Sequence, residues 1–347
     1  MIKEAIGKLV SGESLSQSEA AAVMEEIMSG ESTSAQIGSF LTALRVKGET
    51  IDEIAGLAEV MRAKATPVRA SQPVVDTCGT GGDSSGTFNI STTAAFVAAG
   101  AGLTVAKHGN RAMTSKCGSA DVLEALGVNI TLGPEHVSRC LSEVGVGFMF
   151  APLYHPAMKN VAGPRRELGI RTVFNILGPL TNPAGASAQL LGVPSDDLVG
   201  KLAAVLQRLG CRHALVVHGA DGVDELSITG PSLVGEVRGG ELRTYTVRPE
   251  DFGLKRGDPA ELAGDTATAN AIKVRGILAG SNGAARRVVL LNAAAALVAG
   301  DAVSTITEGV ALAARSIDSG AALDRLDRLI ALGQRLGRPA PAVVVAG

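Results

Sequence analysis

The sequence predicts an α/β protein with a small all-helical domain over residues 1–70 and a large α/β domain over residues 71–347. Its 347 residues are 46% apolar and 19% charged, which is enough for a buried core in about two domains. The first 65 residues carry only helical patterns, whereas short β-type runs alternate with helical stretches from Pro73 onward. This alternation predicts a central mixed, mostly parallel sheet flanked by helices.

The N-terminal helices are predicted from their first turns. Three segments begin with the capping-box pattern, in which a hydroxyl residue precedes Glu or Gln by three positions. Apolar residues follow each box at helical spacing, and Pro67 ends the pattern. The three boxes are Ser16 with Glu19, Thr33 with Gln36, and Thr50 with Glu53.

The elements of the large domain are predicted from short apolar runs and from the stretches between them. The expected strands are 74–75, 103–106, 146–149, 189–193 and 214–217, followed by a hairpin of 233–237 and 242–247 around Gly239 and Gly240. The expected helices are 92–101, 120–126, 135–144 and 196–209, then two long ones at about 261–278 and 284–299, and two shorter ones, the last at 322–336.

Charge, hydropathy and cysteine usage exclude several classes of protein. The 32 basic and 34 acidic side chains give a net charge of −2, which argues against a dedicated nucleic-acid binder. The longest apolar runs are too short to cross a membrane, and the N-terminus lacks the apolar region of a signal peptide. Four separated cysteines without a CxxC pair are typical of reduced thiols. We therefore expect a cytoplasmic protein without membrane or nucleic-acid partners.

The segment Val74–Thr92 is the first candidate site. Three glycines between Gly79 and Gly82 allow backbone N–H groups to surround an anion, and a polar run then begins a helix, whose N-terminus favours phosphate. A tight structural turn is the alternative. The ATP-binding P-loop pattern fails because Thr87 stands where its lysine is required, and the dinucleotide pattern fails at Ser84.

The segment Val105–Gly127 repeats this design of strand, polar loop and helix. Lys107 and Arg111 can neutralise phosphate charge, and the hydroxyl groups supply oriented donors. An exposed polar loop is the alternative. Two such segments predict two phosphate subsites at one edge of the sheet, because strand C-termini meet there.

Two further segments carry charge. Lys159, Arg165, Arg166 and Arg171 have the spacing of a solvated helix face, with one guanidinium available for a carboxylate. The adjacent carboxylates of residues 224 and 225 follow a predicted strand and could hold Mg²⁺, although such a pair is commonly a surface feature. The five histidines lack the spacing of a transition-metal site.

Together these motifs identify a family. GTGGD, FNIST, KHGNR, HPAMK, RRELGIRTVFNILGPLTNPA and GVDE occur in the order and spacing of the anthranilate phosphoribosyltransferase family, which the chain resembles from end to end. The resemblance implies transfer of the phosphoribosyl group of 5-phosphoribosyl 1-diphosphate (PRPP) to the amine of anthranilate. The products are N-(5-phosphoribosyl)anthranilate and diphosphate, in the second step of tryptophan biosynthesis from chorismate.

The resemblance also implies an architecture and a set of ligands. The helical domain would be joined to the large domain near residues 165–185, and homodimers would form through the helical part. Two Mg²⁺ ions per subunit would be positioned by Ser91, Asp224 and Glu225. Anthranilate would be received by Gly79, Asn110 and Arg165. The residues implied for PRPP are Gly79, Gly82, Asp83, Thr87, Asn89, Ile90, Ser91, Thr92, Lys107, His108, Gly109, Asn110, Arg111, Ala112, Met113, Thr114, Ser115 and Ser119.

The expected chemistry needs no strong base, because an aromatic amine is unprotonated at neutral pH. No catalytic acid or base is therefore assigned, and His108 is the nearest candidate for a proton acceptor after attack. Asn160, Gly163-Pro164 and Ser84 depart from the family pattern and affect the expected anthranilate entrance. A pyrimidine nucleoside phosphorylase or a non-catalytic relative that binds nucleic acid are the alternatives. The KHGNR segment and the acidic pair favour the transferase.

Overall fold

Four helices form the N-terminal part of the chain, in a computed structural model that describes residues 1–83, 85–112 and 116–337. The helices are α1 (Ile2–Val10), α2 (Gln17–Ser29), α3 (Ser34–Lys47) and α4 (Ile51–Lys64). All three predicted capping boxes are confirmed: each hydroxyl accepts from the backbone N–H three residues on, and each Glu or Gln accepts in return. The helices are buried along their apolar faces at residues such as Val23, Phe40, Leu44 and Leu57.

The central sheet has seven strands: β1 (Val75–Gly79), β2 (Val105–Gly109), β3 (Val146–Phe150), β4 (Ala188–Gly192), β5 (His213–Gly219), β6 (Ser232–Arg238) and β7 (Glu241–Val247). Their order in the sheet is β3-β2-β1-β4-β5-β6-β7. The first five strands of the chain pair in parallel, and the last two pair antiparallel, so the predicted mixed, mostly parallel sheet is confirmed. The predicted hairpin joins β6 to β7 through Gly239 and Gly240.

Eleven further helices are described between and after the strands. They are α5 (Ile90–Gly100), α6 (Ser119–Ala125), α7 (Pro134–Val144), α8 (Ala151–Tyr154), α9 (Lys159–Leu168), α10 (Phe174–Leu177), α11 (Asp197–Arg208), α12 (Ala267–Leu278), α13 (Ala284–Ala299), α14 (Ile306–Asp318) and α15 (Ala321–Leu336). The predicted helix start at Glu261 is wrong, because residues from Pro259 form a short 3-10 turn and Thr266 caps α12 instead. The last helix, predicted to be shorter, has 16 residues, as α13 does.

Helices cover both faces of the sheet. Helices α5 and α13 lie in the core of one face, and α11 packs on the other face against β5 and β6. The core of this second face continues into the N-terminal helices through Phe174, Leu177 and Leu180. Helix α9 packs on α2 and α3, and Asn160 Nδ2 donates a hydrogen bond of 2.8 Å to the carbonyl of Met28 near the end of α2. The family departure at Asn160 therefore lies at this junction.

The sheet topology determines where a ligand can bind. Strand order reverses between β1 and β4, and in open α/β sheets such reversals create a crevice at the C-terminal ends of the strands. The register between β1 and β2 is confined to Val75 and Val105, whereas β2 and β3 pair over five positions. Strands β1 and β2 therefore separate toward their C-terminal ends. No helix in the described part of the chain is long and apolar enough to cross a membrane.

Candidate active site

A single cavity of about 1100 Å³ lies at the C-terminal ends of β1 and β2 and extends toward α9. All four chemistry-bearing segments of the sequence contribute to it. The predicted residues that line it are Gly79, Gly82, Asp83, Thr87, Asn89, Ile90, Ser91, Thr92, Lys107, His108, Gly109, Asn110, Arg111, Ala112, Ser119, Arg165, Asp224 and Glu225. The predicted residues Met113, Thr114 and Ser115, and the departure at Ser84, lie outside the described residues. The fold thus brings together segments that are up to 146 positions apart.

The glycine-rich loop follows β1 and lies against the acidic segment. A β-carbon at Gly79 would stand 2.4 Å from Asp224 Oδ2, so a side chain there would displace the carboxylate. The N–H of Gly81 donates to the same Oδ2 atom at 3.1 Å. Gly81 and Gly82 both have positive φ angles, which glycine adopts without strain. The loop therefore approaches the carboxylate by its main chain.

Arg171 supports this loop from the opposite side, a role that the sequence did not predict. Its Nη2 donates to the carbonyl of Gly81 at 3.0 Å, and its guanidinium fills the space of a Gly82 side chain. The predicted solvated helix face is right for Lys159 and Arg166, which are exposed, and wrong for Arg165 and Arg171, which are partly buried. Only a contact across 90 positions of the chain distinguishes Arg171 from its neighbours, and no local pattern carries that information.

The acidic pair lies at the floor of the cavity, where Glu225 is buried and Asp224 is half-buried. Glu225 Oε1 accepts from the N–H of Ser91 at 3.0 Å, in the first turn of α5. Burial raises the pKa of Asp224 to about 7, and the nearby Asp83 carboxylate adds to the shift. Burial and Asp224 together raise the pKa of Glu225 well above its ordinary value, and Lys107 opposes that shift. The pair thus gathers negative charge where desolvation makes it costly.

These residues fit a divalent cation. Lys107 is buried, but its ammonium donates to the carbonyl of Thr77 and to Ser91 Oγ instead of to the carboxylates. Among the described residues, no three Asp, Glu, His or Cys side chains converge on one point. Mg²⁺ commonly binds through one or two carboxylates and completes its shell with water and substrate phosphate. An acidic pair that is largely withdrawn from solvent and receives no hydrogen bond from Lys107 matches that requirement.

The N-terminus of α5 is arranged to receive an anion. Asn89 precedes the helix but makes no side-chain cap. Its Nδ2 donates to the carbonyl of Cys117 at 3.1 Å, and its Oδ1 accepts from Asn270 at 3.1 Å. Asn89 therefore does not cap the helix, and the side chain that reaches its first turn is Glu225, at the N–H of Ser91. The helix dipole at this end of the cavity favours a phosphate. Asn270 and Cys117 were not among the predicted site residues.

The second polar loop follows β2 and differs from prediction at Arg111. This guanidinium is paired with Asp121 at 2.9 Å and with Glu124 at 2.8 Å on α6, and it lies over the ring of Phe150. Its charge is already neutralised, so it is a weaker phosphate ligand in this conformation than its sequence position suggests. Ser119 donates to the carbonyl of Asn110 at 3.3 Å and closes the loop.

Arg165 is a partly buried cationic group at the α9 end of the cavity, which Lys159 also lines. It lies over the ring of Phe174 at 5.2 Å, which holds the guanidinium in place. Burial lowers the pKa of Arg165, and no carboxylate of the described residues opposes this shift. A partly buried guanidinium without an acidic partner is suited to bind the carboxylate of a small aromatic acid.

Two histidines line the cavity between Arg165 and the polar loops. The rings of His108 and His155 lie 5.0 Å apart, and no described residue provides a hydrogen-bond partner for either Nε2 atom. Burial lowers the pKa of His108 to about 3 and that of His155 to about 4, so both rings are neutral at pH 7. His108 Nδ1 lies 3.2 Å from the carbonyl of Gly178, which assigns the proton to Nδ1 and the lone pair to Nε2.

Comparison with known proteins agrees with this geometry. Residues 3–65 match the family model "Glycosyl transferase family, helical bundle domain", and residues 71–323 match "Glycosyl transferase family, a/b domain". The chain is 62% identical to the anthranilate phosphoribosyltransferase of Chloroflexus aggregans, over 96% of this chain and 98% of the relative.

Solved structures of relatives have the same fold. The crystal structure of the anthranilate phosphoribosyltransferase of Thermus thermophilus superposes with a TM-score of 0.90 at 45% identity, covering 95% of this chain and 99% of the other. The Saccharomyces cerevisiae enzyme, in complex with PRPP and Mg, gives a TM-score of 0.87 at 30% identity, covering 96% and 98%. High identity over nearly the full length of both chains shows common membership, and this chain belongs to the anthranilate phosphoribosyltransferase family.

Proposed function

We propose that this chain transfers the phosphoribosyl group of PRPP to the amine of anthranilate, releasing diphosphate, in the second step of tryptophan biosynthesis from chorismate. In this reaction the bond between C1 of the ribose and the diphosphate oxygen breaks, and a bond from C1 to the anthranilate nitrogen forms. The observation that carries the proposal is the single cavity, which places phosphate-type loops, an acidic pair and an unpaired arginine around one space. Family membership at 62% identity supports it.

PRPP would bind at the two loops and at the start of α5. N–H groups, hydroxyls and one buried ammonium are offered by the main chain of Gly79–Gly82, the start of α5 and the described part of the loop from Lys107 to Ser119. These groups hold the phosphates and orient C1 toward the α9 end. Positioning of this kind supplies much of the rate of a transfer between two bound substrates.

Anthranilate would bind between Arg165 and the ends of β1 and β2. The guanidinium of Arg165 pairs with the carboxylate, while Gly79 and Asn110 lie on the side of the cavity that faces PRPP. The pairing leaves the amine directed toward the ribose. The missed residue His155 lines the same end of the cavity.

His108 is the proposed proton acceptor. Attack converts the amine into an acidic ammonium group, for which a weak base is sufficient. The neutral ring of His108 has a lone pair at Nε2, and the carbonyl of Gly178 holds the ring by Nδ1. The proton would move from the new ammonium nitrogen to Nε2.

Two Mg²⁺ ions per subunit complete the proposal, held by Ser91, Asp224 and Glu225. When bound, Mg²⁺ would neutralise the charge that develops on the departing diphosphate. Asp224 and Glu225 keep their positions through the N–H groups of Gly81 and Ser91. The buried carboxylates thereby direct the diphosphate end of PRPP toward the floor of the cavity.

We also propose a homodimer that forms through the helical domain. A shallow groove of about 750 Å³ between α1 and α3 is lined by apolar side chains, among them Leu9, Ala43 and Leu168. Val10 and Val46 at this groove are 74% and 82% exposed. Contiguous exposed apolar surface of this kind favours burial against a second copy.

The division of the chain and its location follow the same proposal. We divide it into a helical domain of residues 1–70 and a large domain of residues 71–347, joined near residues 165–185. The core that runs from α2 and α4 through Phe174 and Leu180 supports this junction. All four cysteines are buried free thiols, which supports a reducing, cytoplasmic location.

The first experiment is the fluorescence decay of anthranilate mixed with purified protein, PRPP and Mg²⁺, with EDTA as the control. Loss of signal that requires protein, PRPP and metal together supports the transferase. Persistent anthranilate fluorescence with a folded protein contradicts it. A nucleoside phosphorolysis assay and a salt-dependent DNA gel shift would then test the two alternatives.

A further inference from the structure

The two carboxylates of the proposed metal site lie on irregular backbone. Asp224 and Glu225 follow the end of β5 and precede β6, so neither belongs to a helix or a strand. Their side chains accept one backbone N–H each, from Gly81 and Ser91. Repulsion between buried like charges favours separation of these two residues. Their backbone therefore needs an anchor from outside the loop.

Asn292 provides such an anchor. It lies in the middle of α13, and its side chain is fully buried. Its Oδ1 accepts from the N–H of Leu226 at 2.9 Å, and its Nδ2 donates to the carbonyl of Leu226 at 2.9 Å. Leu226 is the residue directly after Glu225. One side-chain amide thus binds both polar groups of the neighbouring backbone residue.

An asparagine at position 292 does not stabilise helix α13 by itself. The described residues 288–299 of α13 are otherwise Ala, Val and Leu, and all of them are buried. Asparagine has a lower helix propensity than alanine, and burial of an amide is costly unless its hydrogen bonds are made. Here they are made, because Nδ2 also donates to the carbonyl of Val288 at 2.9 Å. An apolar residue would fill the space but would leave both polar groups of Leu226 without a partner.

Other bonds of the segment join Asp221, which precedes the acidic pair, to residues that follow the pair. Asp221 Oδ2 accepts from Ser227 Oγ at 2.6 Å and also from the hydroxyl of Thr229. Those contacts close the loop on itself, whereas Asn292 ties it to a core helix. The N–H groups of Gly81 and Ser91 hold the two carboxylates, and Asn292 ties the backbone next to them to the core.

We infer that Asn292 is a positioning residue for the metal site, holding the Leu226 backbone so that Asp224 and Glu225 stay together at the floor of the cavity. The inference rests on the proposed function for the identity of the ligand. Asn292 does not line the cavity, so it acts through the carboxylates and not by contact with substrate.

The test measures metal binding without turnover. Mn²⁺ is titrated with inorganic diphosphate present, and bound metal is followed by electron paramagnetic resonance in the wild type and in Asn292→Ala. Loss of the anchor is expected to raise the half-saturating Mn²⁺ concentration about tenfold, the usual effect of removing a group that orients metal ligands. The KM for anthranilate, measured in parallel, is expected to stay within about twofold, since Arg165 is untouched.

Two further variants separate positioning from stability. Leu297→Ala removes a fully buried side chain from the same helix and should lower the melting temperature without changing Mn²⁺ binding. Asn292→Asp keeps the size and the acceptor for the Leu226 N–H but loses the amide donors. It should weaken Mn²⁺ binding in the same direction, and it decides the question if Asn292→Ala does not fold.

The outcomes distinguish failure of the proposed metal site from failure of the role assigned to Asn292. A wild-type protein that binds no Mn²⁺ with diphosphate overturns the proposed metal site. A wild type that binds it, with folded Asn292 variants that bind it equally well, overturns the role of Asn292 alone. An equal loss of binding in Leu297→Ala also overturns that role, because the effect would then follow from general destabilisation.

Discussion

Gly79 leaves the space that the Asp224 carboxylate occupies. Replacing it with alanine would place a β-carbon 2.4 Å from Oδ2 and force the carboxylate away. We expect Gly79→Ala to lower kcat by about 100-fold, as in sites where loss of one charge-stabilising contact has a similar effect. Steady-state kinetics over a range of Mg²⁺ concentrations is the measurement. The control is Gly200→Ala in α11, where no atom lies within 4 Å of the added carbon, and unchanged kinetics in both variants would contradict the prediction.

Arg165 is expected to distinguish one substrate from the other. Arg165→Ala removes a partly buried guanidinium that has no described acidic partner, so the KM for anthranilate should rise by about 10-fold or more. The KM for PRPP should change much less. The neighbouring Arg166 is exposed and serves as the matched control through Arg166→Ala. Equal damage to both substrates would remove the assignment of Arg165 to anthranilate.

For single residues, the sequence predicted site residues that belong to a short local motif. Glycine clusters, helix-initiating polar runs and an adjacent acidic pair can each be recognised within about ten positions. Arg171, Asn270 and Asn292 could not be recognised, because each acts on a residue 66 or more positions away. Arg111 was predicted from its charge, but its carboxylate partners on α6 change what that charge can do.

Among the elements, β1 and β2 depend on a polar bridge. Asn182 Nδ2 donates to Asp76 Oδ2 on β1 and to the carbonyl of Ala106 on β2, both at 2.8 Å. These bonds occupy the gap where the two strands separate below the cavity. The turn-rich run that ends at Asn182 therefore links β1 to β2, a role that the sequence did not predict.

We expect Asn182→Ala to weaken both the fold and the PRPP site. Buried Asp76 would lose a donor, at a cost of about 1–3 kcal/mol in the free energy of unfolding. The KM for PRPP should rise, because β2 carries Lys107 into the cavity. Asn160→Ala also removes an asparagine bond to a carbonyl, at the junction of α9 and α2, and should leave that KM unchanged. Denaturant unfolding and substrate kinetics on the two variants give the comparison, and equal KM values would contradict the bridge.

Helix boundaries were predicted correctly where hydrogen bonds between residues close in the sequence determine them. The capping boxes at Ser16, Thr33 and Thr50 begin helices as predicted, since their partners lie only three residues away. The start of α12 was placed too early, at Glu261. In the structure its carboxylate instead accepts from the N–H of Ala284, at the start of α13. That bond depends on the arrangement of two helices and is absent from any local pattern.

For the whole molecule, the proposed dimer makes a direct prediction. Val46 is 82% exposed at the groove between α1 and α3, so Val46→Glu should change the fold of the subunit little. A charge buried against a second copy is costly, and the variant should sediment as a monomer. Analytical ultracentrifugation of wild type and variant tests this. Ile272→Glu, at another exposed apolar residue on α12, is the control that should leave the assembly intact.

The buried acids also predict how the stability of the whole molecule depends on pH. The pKa of Asp224 is raised from 3.8 to about 7, so between these values the folded state holds a proton that the unfolded state releases. The free energy of unfolding of the metal-free protein should therefore fall as pH rises from about 4 to 7. Asp76 and Glu225, whose pKa values are also raised by burial, contribute in the same direction.

Asp224→Asn tests whether ionisation of Asp224 lowers the stability of the metal-free protein and is also needed for turnover. The variant keeps an oxygen for the N–H of Gly81 but never ionises, so at pH 8 it should be more stable than metal-free wild type, by up to about 4 kcal/mol. At pH 4 the two should converge, and turnover by the variant should be lost. Thermal unfolding across this pH range, with the exposed Asp318→Asn as control, gives the result. Mg²⁺ with diphosphate should restore stability at pH 8 in the wild type alone. Only the wild type presents both carboxylates, Asp224 and Glu225, to the cation. A variant no more stable than wild type at pH 8 would mean that the carboxylate is already neutralised within the protein, leaving the metal nothing to compensate.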